Sequence, residues 1–287
     1  MQKWKTKVGW ILLAGLALGV ALLWYVLLHE DRQGLLRVTA LDIGQGDAIF
    51  IEAPNGYQIL LDAGPGPVVL RRLGEFMPFY DRSIDLLIVS NPDKDHIAGF
   101  IDVLNRYKVS REIEPGTLNA SAVYATLQDS LKRKNVPQVL ARTGDRVVLD
   151  EKHGVVLDIL FPDRDVPTLA TNDGSIIAKL SYGGTCFMLM GDSTQGVEEY
   201  LVHLFGPALH CQVLKVGHHG SRSATSAVFV KDMAPEYAVI SDGKNNTYGH
   251  PHQETLDTLN NFGVKVLRTD LLGSVTFVSD GKTVRPK

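Results

Sequence analysis

The feature that most constrains this chain is a run of 21 uncharged residues, 8–28, close to its first residue. In a helix, 21 residues span about 31 Å, which matches the hydrocarbon thickness of a bilayer. A cleaved signal peptide has a shorter apolar region, typically about 7–15 residues, and ends in small residues. This run ends in Trp-Tyr-Val-Leu-Leu instead. We therefore predict an uncleaved transmembrane helix over residues 8–28.

The charges that flank the run predict its orientation. Three lysines lie within residues 1–7, whereas two acidic residues and one arginine follow at 30–32. Positively charged flanks stay in the cytoplasm. The sequence therefore predicts a single-pass protein of the cell membrane. Its cytoplasmic tail is residues 1–7, and everything after about residue 30 lies on the extracytoplasmic side.

The remaining residues, 34–287, read as one continuous domain without a repeat or a flexible linker. The whole chain has a formal net charge of −3, and residues 1–33 hold four basic and two acidic residues, which leaves −5 for the domain. A domain that coats itself in nucleic acid is usually basic. A phosphodiester substrate stays compatible if metal ions supply positive charge locally. The two cysteines, Cys186 and Cys211, lie in apolar runs, where a disulfide and two buried thiols are equally acceptable.

Two groups of short, apolar, β-branched runs, each accompanied by amphipathic helices, predict the fold class. We expect helices near residues 68–76, 97–106, 121–134, 195–205, 225–233 and 253–262. Asn55-Gly56 indicates a hairpin turn between two strands. The pattern favours two sheets packed face to face with helices outside, an α/β architecture. Periodicity alone does not distinguish it from other α/β sandwiches.

Residues able to bind metal occur where apolar runs end. Asp95 and His96 follow the run 84–90, Asp192 follows FMLMG, and the pair His218-His219 follows CQVLKVG. Loops at one rim of a sheet are where α/β proteins build sites. Each cluster alone is compatible with a helix cap or a polar turn. Together they predict a mixed nitrogen and oxygen ligand set that suits Zn²⁺ or Mn²⁺.

The motifs of the domain resemble those of a known family. The strings TALDIGQGDAIFIEAPNGYQILLDAGPG, LLIVSNPDKDHIAGFIDVL, CFMLMGDSTQGVEEYL, LKVGHHGSRSATSAVFV and ISDGKNNTYGHPHQETL occur in the order typical of the metallo-β-lactamase fold. More narrowly, they resemble the carboxy-terminal domain of ComEC-like competence proteins, over nearly all of residues 35–287. The resemblance implies an αββα sandwich with its site on the rim between the sheets. It also implies a separately encoded channel protein as a partner, since only a single anchor precedes the domain here.

The resemblance assigns roles to individual residues. The family motif His-x-His-x-Asp-His aligns with Asn91, Asp93, Asp95 and His96. It further implies that Asp62 orients a ligand from the second shell, that Asp192 bridges the metals, and that His218 or His219 is the last ligand. Asn91 departs from the pattern, because an amide oxygen is a weak ligand. The histidine that often precedes the bridging aspartate has no counterpart, and Asn172 lies there. We therefore expect one firmly bound metal, Zn²⁺ or Mn²⁺, and a second that is weak or absent.

The function implied is a membrane-anchored, exported, metal-dependent hydrolase, a phosphodiesterase or nuclease in DNA uptake or processing. Single-stranded DNA or another phosphodiester is the expected substrate. Asp95 holds and orients the attacking water, and His250 in Gly-His-Pro-His assists the leaving oxygen as a proton donor. The alternative is a catalytically weakened domain that binds nucleic acid or a competence-channel partner. Asn91 is the residue that favours this alternative.

Overall fold

The computed structural model describes residues 2–30 and 32–287, with eight α-helices and fifteen strands in the described part of the chain. The helices are α1 Gln2–Glu30, α2 Val68–Phe76, α3 Lys94–Arg106, α4 Ala122–Arg133, α5 Gln195–Phe205, α6 Ala227–Met233, α7 Gln253–Asn261 and α8 Thr269–Leu272. The strands of the first half are β1 Leu36–Ala40, β2 Ile49–Glu52, β3 Gln58–Leu61, β4 Ser83–Ile88, β5 Lys108–Glu114, β6 Gln138–Leu140, β7 Arg146–Asp150 and β8 Val155–Phe161. Those of the second half are β9 Ile177–Tyr182, β10 Thr185–Leu189, β11 Val213–Lys215, β12 Tyr237–Ile240, β13 Lys265–Arg268, β14 Val275–Ser279 and β15 Val284–Pro286.

The strands form two sheets. The first has eight strands in the order β15-β14-β1-β2-β3-β4-β5-β6, and the second has seven in the order β13-β12-β11-β10-β9-β8-β7. Strands β3 to β6 are mutually parallel, and so are β10 to β13. Parallel strands carry their carboxyl ends to the same edge, so each sheet has one edge at which several loops start.

Three apolar clusters hold the layers together. The largest lies between the two sheets and includes Ile59 and Leu61 of β3. The second joins the outer face of the first sheet, where Leu60 points, to α2, α3 and α4. The third joins the outer face of the second sheet to α5, α6 and α7. This helix, sheet, sheet, helix order confirms the predicted αββα sandwich. It also explains why β3 is buried on both faces.

Helix α1 stands apart from these clusters. Its segment Lys7–Tyr25 has a mean hydropathy of 2.0 and none of it is buried against the protein. Trp10 and Leu18, for example, are 72% and 73% exposed. A helix that is apolar all round requires an apolar environment. This segment is long and apolar enough to cross a membrane.

Two local details refine the predictions from sequence. Helix α3 begins at Lys94, three residues before the expected start, because its first turn contains polar site residues that apolar periodicity does not detect. The turn between β2 and β3 does include Asn55-Gly56: the Gly56 N–H donates to the carbonyl oxygen of Ala53 at 2.9 Å, and Gly56 leaves the turn with a positive φ of 92°.

The structure decides the cysteine alternatives in favour of a disulfide. Cys186 in β10 and Cys211, two residues before β11, are bonded, with 5.2 Å between their Cα atoms. These strands are parallel neighbours in the second sheet. The bridge therefore fastens the entry of β11 to β10.

Candidate metal centre

The candidate site lies where loops from both sheets meet. Asp62 follows β3, and the segment Asn91–His96 connects β4 to the first turn of α3. Asp192 follows β10, and His218 and His219 follow β11. All four loops leave the carboxyl ends of their strands. Packing the two sheets face to face therefore brings their polar residues to a common rim.

His96 is fixed by carboxylates on both sides. Its Nδ1 lies 2.9 Å from Oδ2 of Asp62, and its Nε2 lies 3.1 Å from Oδ2 of Asp192. Asp62 is itself held by the backbone N–H and the hydroxyl of Ser90, which donate to it at 2.8 and 2.5 Å. A carboxylate on Nδ1 fixes that nitrogen as a donor, so Nε2 is the nitrogen that can face a metal ion. Asp62 thus lies in the position that the resemblance implied.

Between the two adjacent histidines, the geometry favours His219 at the centre of the site. Its Nδ1 donates to the carbonyl oxygen of Ser241 at 3.0 Å. Its Nε2 lies 3.5 Å from Oδ2 of Asp95 and 3.6 Å from Oδ1 of Asp192. His218 is more peripheral, because its Nε2 is 4.0 Å from Oδ2 of Asp192 and its Nδ1 is bonded to the Ser223 hydroxyl at 3.0 Å.

An unusual backbone conformation presents both rings. His218 and His219 have φ values of 48° and 53°, in the left-handed region that residues other than glycine seldom adopt. Such conformations cluster at functional sites, where the surroundings maintain them. The loop that follows is held by Glu198 of α5, whose carboxylate accepts from the N–H groups of Thr225 and Ser226 at 2.7 and 2.6 Å.

Two further residues of the site, Asp47 and Lys215, were missed from the sequence. Oδ2 of Asp47 accepts from Nζ of Lys215 at 2.8 Å, and Oδ1 of Asp47 lies 3.4 Å from Nδ1 of His219. Both side chains are buried. The signals were present: a lysine within the apolar run CQVLKV, and an aspartate after Gly-Gln-Gly. Gly46 has φ of 123°, and a Cβ there would lie 2.2 Å from the carbonyl oxygen of Asp95, so only glycine fits.

The electrostatics of the cluster suit a cation. Burial alone lowers the pKa of His96 and of His219, but the surrounding carboxylates prevail, with Asp192 the strongest in both cases. They raise the pKa of His96 well above its usual value and that of His219 to about 10. Burial raises the pKa of Asp192, but His96 and His219 hold it well below its usual value. The carboxylates around the two imidazoles thus concentrate enough negative charge to favour a positive charge at the centre of the cluster.

The donor atoms also fit a divalent metal. Four buried atoms in the described residues lack a hydrogen-bond partner and belong to this cluster: Asp47 Oδ1, His96 Nε2, Asp192 Oδ1 and His219 Nε2. Buried polar atoms of native proteins normally have a partner. Three overlapping sets have ligand atoms within 4.8 Å of one another: Asp95, His96 and His219; Asp47, Asp62 and His96; Asp47, Asp192 and His219. Imidazole nitrogens and carboxylate oxygens are the ligands expected for Zn²⁺ or Mn²⁺.

Next to the cluster, the rim residues around Asn91 and Asp93 are hydrogen-bonded to other protein groups. Nδ2 of Asn91 donates to Oδ1 of Asn172 at 2.8 Å, and Oδ1 of Asn91 accepts from the N–H of Asp93 at 2.9 Å. The carboxylate of Asp93 accepts from Nδ2 of Asn119 at 2.8 Å and from the Thr171 hydroxyl at 2.9 Å. Asn91 and Asp93 are thus joined to protein partners, and neither belongs to the three sets above.

His250 lies at the edge of the cluster, with its ring centroid 5.6 Å from that of His218 and 6.3 Å from that of His219. Asn246 holds its backbone, accepting from the His250 N–H at 3.0 Å and donating to its carbonyl oxygen at 2.6 Å. Its buried Nδ1 has no hydrogen-bond partner among the residues that the structure describes. Burial, followed by the charges of His219 and His218, lowers the pKa of His250 to about 4. The imidazole is therefore neutral at pH 7.

Comparison with known proteins shows the family to which the chain belongs. The model of the metallo-beta-lactamase superfamily matches residues 41–242. The chain belongs to this superfamily. Within it, the chain is 31% identical over 258 residues to ComE operon protein 3 of Bacillus subtilis (strain 168), covering 84% of this chain and 32% of that protein. It is 30% identical over 247 residues to competence protein ComA of Neisseria gonorrhoeae, again covering 84% and 32%. The resemblance to competence proteins inferred from the motifs is confirmed.

The chain spans about a third of the length of the curated relatives it matches. Among solved structures, the diiron beta-hydroxylase CmlA from Streptomyces venezuelae aligns with a TM-score of 0.53 and 12% identity, covering 84% of this chain and 53% of that one. A long form of RNase Z from yeast aligns with a TM-score of 0.51 and 11% identity, covering 88% and 42%. At such identities these two likenesses establish the fold and nothing more.

Proposed function

We propose that this protein is a metal-dependent phosphodiesterase or nuclease, anchored in the cell membrane by α1 and acting on DNA during its uptake or processing. The relatives described above, a competence protein among them, support the DNA-uptake context. The observation that carries the hydrolase proposal is a set of four buried atoms, on Asp47, His96, Asp192 and His219, that make no hydrogen bond within the part of the chain that the structure describes. Such a set is costly to maintain unless a cation satisfies it.

We propose that His96, His219, Asp95 and Asp192 hold one divalent ion firmly, with His218 beside them. A divalent ion in such a site polarises a phosphoryl oxygen and lowers the pKa of water. Asp95, a third exposed at the mouth of the cluster, is the carboxylate that can orient a water facing the substrate. Asp62 fixes the orientation of the His96 ring, and the carbonyl oxygen of Ser241 fixes that of the His219 ring.

His250 would contact the leaving oxygen from the edge of the site. As a neutral imidazole it retains one N–H, which can be donated to that oxygen. An approaching phosphodiester is an anion, and its charge raises the pKa of a nearby imidazole and favours proton transfer. This assignment keeps the predicted role of His250 and adds the condition that its protonation depends on bound substrate.

The hydrogen bonds around Asn91 and Asp93 support a site that holds one metal ion. The Asn91–Asn172 pair and the two hydrogen bonds to Asp93 occupy the groups that a second ion would need. The same observation favours the second candidate, a weakened domain that binds nucleic acid or a channel partner without turnover. The four buried atoms that make no hydrogen bond weigh against this second candidate, because a domain that only binds a partner does not require a buried set of metal-binding atoms.

We also propose that the domain lies on the extracytoplasmic side. The three lysines within residues 1–7, which precede the apolar run 8–28, support this orientation. The Cys186–Cys211 disulfide supports it independently, because disulfides persist in oxidising compartments and are rare in the cytoplasm.

The test is metal content together with turnover. The full chain, purified in detergent, should contain close to one equivalent of Zn²⁺ or Mn²⁺ by elemental analysis and cleave single-stranded DNA or a bis-aryl phosphodiester. His96→Gln and Asp192→Asn should each lose the metal and reduce turnover by more than the roughly 10- to 100-fold that removing a residue behind a metal ligand typically costs.

Matched controls separate these effects from general damage. His203→Gln in α5 and Asp129→Asn in α4 change the same residue types at exposed positions and should leave both readouts unchanged. A metal-free wild type whose residual activity is unaffected by His96→Gln would contradict the hydrolase proposal. DNA binding that survives in that variant would then favour the binding domain.

A further inference from the structure

The end of the domain opposite the candidate site lies next to the anchor. Helix α1 ends at Glu30 and β1 begins at Leu36, so residues 31–35 span at most about 18 Å. Two contacts fasten this connection to the domain. The guanidinium of Arg32 pairs with Glu52 at 3.0 Å, and the carbonyl oxygen of Gly34 accepts from the Tyr182 hydroxyl at 2.8 Å. The end at which β1 starts therefore stays close to the end of α1.

This end carries a group of exposed basic side chains that the proposed function does not use. They lie at the start of β4 and β5 and at the ends of α3 and α4; we call them the basic patch: Arg82, Arg106, Lys108 and Lys134. None of the four forms an ion pair with a residue that the structure describes. They line two adjoining open recesses that share Lys108, and Arg32 lines one of them, so the patch is continuous with the connection to α1.

The nearby acidic groups that the structure describes form no ion pair with the patch and are hydrogen-bonded to other residues instead. Asp81 accepts from the side chains of Gln58 and Ser83. Asp85 accepts from the backbone N–H of Gln58 at 2.8 Å. Glu52 is paired with two arginines outside the patch.

An aromatic residue projects from the same end. Phe79, in the loop between α2 and β4, is 78% exposed, and Tyr80 beside it packs edge to face at 5.4 Å. Tyr80 and Pro78 line the recess that also contains Arg82. Exposed aromatic rings next to unpaired lysines and arginines are typical of surfaces that rest on a bilayer containing anionic lipid.

The direction of α3 separates this surface from the catalytic rim. Asp95 lies in its first turn and Arg106 in its last, about 17 Å apart along the helix axis. A nucleic acid strand held at the basic patch would therefore lie at the wrong end of the domain for hydrolysis. A lipid surface has no such difficulty, since the anchor already brings it to this end.

We propose that the basic patch and Phe79 rest on anionic phospholipid headgroups of the bilayer that holds α1, so that the metal site faces away from the membrane. This proposal rests on the anchor proposed above. It adds a second attachment that fixes the orientation of the domain and keeps the rim open to a substrate arriving from outside.

The test uses the full chain reconstituted in vesicles of phosphatidylcholine, with and without 30% phosphatidylglycerol as an anionic component. Both native cysteines are in the disulfide, so a single introduced cysteine can be labelled selectively. A fluorophore on Asn105→Cys, beside the patch, should be quenched by lipids that carry a nitroxide on the headgroup, and more strongly in anionic vesicles. A fluorophore on Leu118→Cys, 68% exposed beyond the other end of β5, should not be quenched.

Charge reversal gives the matched comparison. Arg82→Glu with Lys108→Glu should lower the ratio of docked to undocked domain by at least about fivefold for each basic residue lost. Arg71→Glu with Lys231→Glu makes the same change in net charge at exposed positions outside the patch and should leave quenching unchanged. Phe79→Ser should reduce quenching in both kinds of vesicle.

Three outcomes would overturn the proposal in distinguishable ways. Release of the chain from the vesicles by alkaline carbonate would refute the anchor, and this proposal with it. A retained chain whose label at position 105 is unquenched, or equally quenched in the patch variant and its control, would refute this proposal alone. A change of that label on adding single-stranded DNA, with no response to anionic lipid, would assign the patch to nucleic acid.

Discussion

Removing the disulfide is the perturbation whose magnitude follows most directly from the structure. Cys186 and Cys211 are separated by 25 residues in sequence, and both are buried. Replacing both by alanine deletes the covalent link between β10 and the entry of β11 and leaves the strand pairing itself in place.

The expected loss comes from the unfolded chain. Closing a loop of 25 residues removes conformational entropy from the unfolded state that corresponds to about 3.5 kcal/mol at 25 °C. For a denaturant slope of about 3 kcal/mol per molar urea, the unfolding midpoint should fall by about 1 M.

The choice of assay is restricted by where the chromophores lie. All three tryptophans lie within residues 1–24, so their fluorescence reports on α1 and not on the domain. Urea unfolding of the full chain in detergent should therefore be followed by circular dichroism of the backbone and the tyrosines. Dithiothreitol should lower the midpoint of the wild type to that of the double variant and should not affect the variant.

A single result would refute the reasoning. If thiol alkylation finds both cysteines reduced in protein taken directly from membranes, and reductant leaves the wild-type midpoint unchanged, the bridge contributes nothing to stability. The support that it lends to an extracytoplasmic domain would then also be lost.

Three further predictions follow from buried polar groups. Glu112 is fully buried, and burial, followed by the charge of Glu114, raises its pKa to about 8. The folded form therefore keeps its proton while the unfolded form ionises above pH 4.5, so the wild type should lose about 1.4 kcal/mol of stability per pH unit. Glu112→Gln should consequently gain about 3 kcal/mol relative to the wild type at pH 7 and nothing at pH 4 in urea unfolding, and a constant difference across this range would contradict the assignment. Asp47→Asn should destabilise the domain by about 3–5 kcal/mol because it leaves the Lys215 ammonium buried without a counter-charge, and adding Lys215→Met should recover part of this loss in a double-mutant cycle. Asn91→His should raise the metal content measured by elemental analysis above one equivalent if only the weak ligand excludes a second ion, whereas an unchanged content would indicate that the hydrogen bonds of Asp93 also exclude it.

Much of the fold could be predicted because its signals are local. Helices α2 and α5 begin and end as predicted, since the spacing of their apolar residues and their flanking turns are readable over a few residues. The places where polar residues follow apolar strands were equally readable. The four-layer arrangement followed from two groups of strands with helices, and the motif resemblance distinguished it from other sandwiches.

The membership of the site was less predictable, because it depends on contacts across the chain. Lys215 reaches Asp47 over 168 residues of sequence, and the local signal at each residue does not show that the two meet in one cluster. The pair Asn91 and Asn172 is separated by 81 residues. The sequence indicated that each amide was a poor ligand, but not that the two satisfy one another.

The apolar helix near the start, most of the strand and helix pattern, and the loops with metal-binding residue types could all be read from the sequence. The packed fold was needed to show that His219 is more central than His218, that Asp47 belongs to the same cluster, and that the cysteines are joined. The physical reason is one of range. Helix and strand formation depend on neighbours within a few residues, whereas a buried donor acquires its partner only when the two sheets pack together and exclude water from the rim between them.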